Sequence, residues 1–211
     1  MNFDERIDKN ILEDPELNFF LDRYISNKGE KILFIKDCLK KDQKRKILLR
    51  LQWYAETADR MEMIRRGRPA LQITFLMAMA EAIMAGKKEN NNLPSKQAIK
   101  DFFLGVDLRD QKVLEFGIKL SLNDIEEPYL TLPKIIDIMY EVRNRVVHGK
   151  DYWNFLMPDK KDVREGFTLV TRGWIGKRGK KKEISLDVRI AYEELRDVFI
   201  RTGLNHIRSI L

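Results

Sequence analysis

The chain has 211 residues, with 40 lysines and arginines against 33 aspartates and glutamates for a formal net charge of +7, and it is 44% hydrophobic and 35% charged. This composition excludes a fibrous or disordered polymer, and the length is enough to bury a core without covalent staples. A single cysteine, Cys38, excludes an internal disulfide, and without a Cys/His cluster neither a metal nor another cofactor is expected.

The positions after Met1 are charged (Asp4, Glu5, Arg6) rather than basic and then apolar, so no secretory leader is expected and a cytoplasmic setting is the simplest reading. Between residues 3 and 66 apolar side chains recur at helical spacing, with Phe19, Phe20 and Tyr24 in one stretch and Ile47, Leu48, Leu51, Trp53 and Tyr54 in another. Two or three helices fit there: Pro15 suits a helix start, Asn27-Lys28-Gly29 reads as a turn, and 40–46 reads as a connector or an exposed helix face. Gly67 breaks the pattern, and Arg68-Pro69 opens an apolar helix over 70–85 that Gly86 and the polar stretch 87–92 end. Its apolar run is shorter than a bilayer span and carries Gln72 and Glu81, so a buried core helix is expected, with no membrane anchor.

Ser95 is a candidate cap for an amphipathic helix through Phe102, Phe103 and Leu104, and a further helix is expected to carry Val113, Leu114, Phe116, Ile118 and Leu120. Pro128 and Pro133 bracket a loop, after which Ile135, Ile138, Met139, Val142 and Val146 form one stripe that ends near Gly149. Beyond Pro158 the period changes, and β-prone runs near 167–171 and 183–188 around a Gly- and Lys-rich centre predict an inserted β-hairpin over about 167–188. A last helix over 190–210 places Tyr192, Leu195, Val198, Phe199 and Leu204 on its apolar side.

Chemistry concentrates in Tyr140-Glu141-Val142-Arg143-Asn144-Arg145-Val146-Val147-His148-Gly149, which carries one of only two histidines. On a regular helix Asn144 and His148 share a face, while Arg143 lies ~140° from His148, so the pair brackets a groove rather than stacking. The R-N-x-x-x-H pattern closely resembles the signature of the HEPN superfamily, whose members carry an arginine, usually a polar neighbour, and a histidine after a gap of four to six. The apolar helix around Phe75 to Ile83 is similar to an early core helix of that family, and a closing helix after the motif sits where the family places one. The resemblance is specific at the motif and generic over the rest of 67–211; residues 1–66 and the hairpin have no counterpart.

What the resemblance implies is an all-α, HEPN-like bundle over 67–211 with an N-terminal helical extension over 1–66. It also implies a homodimer in which two Arg/His pairs line one cleft and cleave RNA without metal, in a toxin or antiviral defence setting with an antitoxin or regulatory partner. Cleavage through the 2′-hydroxyl needs a base, an acid and a cation beside the phosphorus. His148 is the candidate acid and base, because imidazole titrates near neutrality; Arg143 offers a planar cationic fork to the phosphate; Asn144 would orient the imidazole or the ribose. Glu81 is a supporting candidate, since a carboxylate in so apolar a helix needs a partner and Arg143 is an obvious one. The chain departs from some HEPN toxins in holding Lys150, not tyrosine, two residues after the histidine, with Tyr152 further on.

Blander readings stand beside these. Arg143 and His148 could only brace a non-catalytic module that binds nucleotide, RNA or a protein, and His206, without flanking ligands, reads as an ordinary surface or packing residue. Arg172, Trp174, Lys177, Arg178, Lys180, Lys181 and Lys182 could grip an RNA backbone and stack a base, or form a solvated turn that protects a sheet edge. A helical interaction protein contacting nucleic acid through that hairpin is the third alternative.

Overall fold

The computed structural model describes residues 10–64, 69–87, 94–121, 130–148, 155–175 and 182–210. Among these the chain is mainly helical, with one small sheet. The order is α1 (Pro15–Asp22), α2 (Lys28–Leu39), α3 (Asp42–Ile64), α4 (Pro69–Lys87), α5 (Ser95–Phe103), α6 (Leu108–Gly117), β1 (Ile118–Leu120), α7 (Leu132–His148), α8 (Lys160–Arg164), β2 (Leu169–Ile175), β3 (Lys182–Val188) and α9 (Tyr192–Arg208).

Local chemistry sets several of these boundaries. Asp14 caps α1 by accepting from the amides of Glu16 (2.8 Å) and Leu17 (3.1 Å), and Pro15 occupies the first turn, where its missing N–H costs nothing. The expected turn at Asn27-Lys28-Gly29 is instead a helix start: Asn27 caps α2 through the amide of Glu30, and Lys28 and Gly29 already lie in the first turn. Ser95 likewise opens α5 rather than capping it, and Pro133 stands inside the first turn of α7. Gly67 and Arg68, Asn90 to Asn92, Pro128 and Gly149 lie outside the described residues.

The helix expected to run through Ile118 and Leu120 stops at Gly117. There a Cβ would stand 2.7 Å from Cβ of Ile190, so only glycine lets the chain pass, and Ile118 turns to extended backbone. Ile118 and Leu120 pair with Val188 and Leu186, giving an antiparallel sheet of order β1-β3-β2. The predicted hairpin is present as β2 and β3, with Arg172 opposite Ser185 and Trp174 opposite Glu183. Leu186 and Val188 point inward, and Thr171 closes the sheet onto the preceding loop by accepting from the amide of Leu156 at 2.9 Å. The short α8 has no signal in the sequence.

At the centre lies α4, which carries Ile73, Leu76, Met77, Met79, Ala80 and Ile83 into the core and packs against α3, α5, α7 and α9. Its 19 residues, with a mean hydropathy of 1.4, are long and apolar enough to cross a membrane, yet most of the helix is buried inside the protein. Neighbours come close because Gly203 of α9 has no side chain: a Cβ there would meet Leu51 at 2.7 Å and Ile83 at 3.1 Å. The described part of the N-terminal segment shares this core through Leu17, Leu21, Ile35, Leu48 and Leu51. Cys38 is sealed within it, and burial pushes its thiol up to about 12.

Polar brackets tie the N-terminal helices and α6 to α9. Arg196 donates to Asp59 and to the hydroxyl of Tyr24, both at 2.7 Å; Tyr24 donates to Asp197 and Tyr192 to Asp59. Burial drives both tyrosine hydroxyls above their ordinary range. Arg201 forks both oxygens of Asp110 at 2.7 Å, and that carboxylate is 1% exposed. His206 is buried, so of the surface and packing roles it takes the second. Its Nε2 lies 2.6 Å from the carbonyl of Phe102 and its Nδ1 3.3 Å from the ammonium of Lys87. A carbonyl only accepts and an ammonium only donates, so Nε2 carries the proton and the ring is neutral.

Candidate active site

The motif helix α7 turns Leu132, Ile135, Ile136, Ile138, Met139 and Val142 toward the core, and α4 is its main neighbour. Because these positions repeat at three and four, the opposite face must carry Asp137, Tyr140, Asn144 and His148. Arg143 falls on the border between the faces.

There the guanidinium of Arg143 meets α4. Nη2 stands 3.1 Å from Oε1 of Glu81 and donates to Oε2 at 3.2 Å, while Nη1 donates to the side-chain oxygen of Asn144 at 3.1 Å. Glu81 Oε1 has no hydrogen bond of its own among the described residues. The pairing of Glu81 with Arg143, expected because a carboxylate in an apolar helix needs a cation, is therefore present. It is not sealed: the Arg143 and Glu81 side chains are 18% and 22% exposed, so the pair sits at a rim that solvent reaches.

His148 ends α7 on the exposed surface, next to Val147, which is 54% exposed. Arg143 and His148 share the helix end, and Asn144 is engaged with Arg143 rather than with the imidazole. One copy of the chain thus presents a braced cation and a separate exposed imidazole. Arg145, between them, also has a partner.

Sequence reasoning missed the surroundings of the motif. Lys96 and Lys100 of α5 reach Asp137 at 2.9 and 3.6 Å. Tyr140 lies between two cations, with Lys96 Nζ 5.8 Å and Arg143 Cζ 5.7 Å from its ring centre. The i, i+4 spacing of the lysines and the i, i+3 spacing of Asp137 and Tyr140 are visible in the sequence, but nothing there says that α5 and α7 abut.

Of the basic hairpin, Arg172 is exposed, and Trp174 and Lys182 are placed by strand register alone. Lys177, Arg178, Lys180 and Lys181 lie outside the described residues, as do Lys150 and Tyr152. Among the described residues no three His, Cys, Asp or Glu side chains converge as a cation-ligand set. Comparison with protein-family models, curated proteins and solved structures found no match, so the functional reading rests on the motif and its geometry.

Proposed function

We propose that the chain is an endoribonuclease of HEPN type that works without metal, at a site completed by a second copy of itself. In this reading the 2′-oxygen of RNA attacks the adjacent phosphorus. The P–O2′ bond forms as the P–O5′ bond breaks, leaving a 2′,3′-cyclic phosphate and a 5′-hydroxyl. One His148 takes the 2′ proton and the partner's His148 gives a proton to the leaving 5′-oxygen, while Arg143 stabilises the charge gathering on the phosphoryl oxygens. Asn144 and Glu81 hold the Arg143 fork in place. A toxin or defence role, with a protein that restrains it, fits an enzyme that cleaves RNA generally.

The observation that carries the reading is the accessible Arg143–Glu81 pair on the helix that ends in an exposed imidazole. The test is cleavage of mixed-sequence single-stranded RNA in EDTA. The expected result is cutting that yields cyclic-phosphate ends, spares RNA with 2′-deoxy positions and falls by about a hundredfold or more in His148→Ala. Intact RNA with the unaltered, folded protein would sink it.

One observation favours a second reading. Arg143 already engages both terminal nitrogens within its own chain, as expected of a non-catalytic HEPN-like module that binds RNA, nucleotide or protein. RNA binding without cutting, equal in His148→Ala and the unaltered chain, would select it.

A further inference from the structure

Three cations and two carboxylates run in a strip across α5, α7 and α4: Lys100 and Lys96, then Asp137, Tyr140 between Lys96 and Arg143, and Glu81 beyond. We propose that this strip is the track for the RNA strand next to the cut, with Lys96 and Lys100 taking a neighbouring backbone phosphate and Asp137 occupying that phosphate's place while RNA is absent. The inference rests on the nuclease reading and names where its substrate lies.

Two lysines one turn apart converge on the same carboxylate oxygen, Oδ1 of Asp137, as two ammonium groups converge on a phosphate oxygen. All three side chains are 41–46% exposed, so as braces these ion pairs contribute little and are readily exchanged for another anion. One turn to either side of Asp137, Lys134 and Glu141 cancel in charge, so the excess of positive charge stays with Lys96, Lys100 and Arg143. Lys96 and Arg143 stand 5.8 and 5.7 Å from the centre of the Tyr140 ring, near enough to each other for one strand to offer a phosphate to each. A scissile phosphate at Arg143 and its neighbour at the lysines would thus be held along one surface.

The test uses the full chain carrying His148→Ala, so that RNA is bound but not cut, and a fluorescently labelled single-stranded RNA of mixed sequence followed by anisotropy over a range of KCl concentrations. Replacing Lys96 and Lys100 together by Gln should weaken binding several-fold regardless of sequence and lower the slope of log affinity against log salt by about 0.7, the value for one lost phosphate contact on a single strand. Asp137→Asn should act in the opposite direction and tighten binding, an outcome that a bracing role for Asp137 does not produce. In the cleaving chain, Lys96→Gln should raise KM and leave kcat within about twofold, as expected for a group that positions rather than reacts. RNA binding with an unchanged salt slope in the lysine variant, or with no gain in Asp137→Asn, overturns the track and leaves the nuclease reading standing. No RNA binding by the folded parent removes both.

Discussion

Two arginine–carboxylate pairs in this chain use the same groups to different ends. Arg201 and Asp110 lock at 2.7 Å through both nitrogen–oxygen contacts around a carboxylate that is 1% exposed. Arg143 and Glu81 stand at 3.1 to 3.2 Å with side chains 18% and 22% exposed, and one carboxylate oxygen is buried without a hydrogen bond among the described residues. The first geometry occupies both oxygens of a sealed carboxylate and binds α6 to α9. The second exposes less of its cation, 18% against 35% for Arg201, and more of its carboxylate, 22% against 1%.

The contrast can be broken most forcefully at the brace. Arg201→Ala should leave the Asp110 carboxylate buried and uncompensated and cost about 3 kcal/mol or more of folding free energy, read by urea unfolding. A loss below about 1 kcal/mol would erase the distinction. At the rim the balance reverses: Arg143→Ala should lower the cleavage rate by about a hundredfold or more, read in single-turnover assays. Its folding free energy should fall by less than in Arg201→Ala, because the Glu81 carboxylate left behind is 22% exposed against 1% for Asp110. Arg143→Lys keeps the charge but loses the fork, and in the same assay it should stay nearly as impaired as the alanine variant; full activity with lysine would show that the fork is dispensable. Glu81→Gln should be milder, with activity down about tenfold, because the guanidinium keeps its contact with Asn144 while losing the carboxylate that aims it.

The smallest effect concerns acid. Burial, chiefly, and the nearby Lys87 ammonium depress the His206 pKa below its ordinary value, while the Phe102 carbonyl opposes them. Because the folded form resists protonation, this contribution is fully present above about pH 6.5 and is lost as pH falls through the depressed folded value. The melting temperature should therefore decline on acidification through that window, and His206→Gln should flatten the decline. An unchanged slope would remove His206 from the account.

How much of this could be read beforehand followed from the range of the forces involved. The stripe Ile135, Ile138, Met139, Val142 was legible because a long amphipathic helix writes its buried face into its own spacing, and α4 was legible by sheer apolarity. The pairing of Glu81 with Arg143 could be anticipated because an isolated carboxylate in an apolar segment demands compensation. By contrast, Ile118 and Leu120 read as helix because β1 exists only through β3, whose residues lie more than sixty positions away in sequence. Lys96, Lys100 and Asp137, like Arg196 with Asp59 and Tyr24, carry no local mark of their meeting, since it depends on which helices abut. Asn27 reads as a turn because the residue types that favour turns also favour helix starts.

The sealed state of Cys38 has a practical consequence for the paired-copy question. Its thiol is inaccessible and stays protonated at neutral pH, so maleimide or nitroxide reagents will pass it by in the folded chain. With Val147→Cys at an exposed position, the new thiol would be the sole labelling point, and a spin-label distance between two such points would measure how far apart two copies hold their imidazoles.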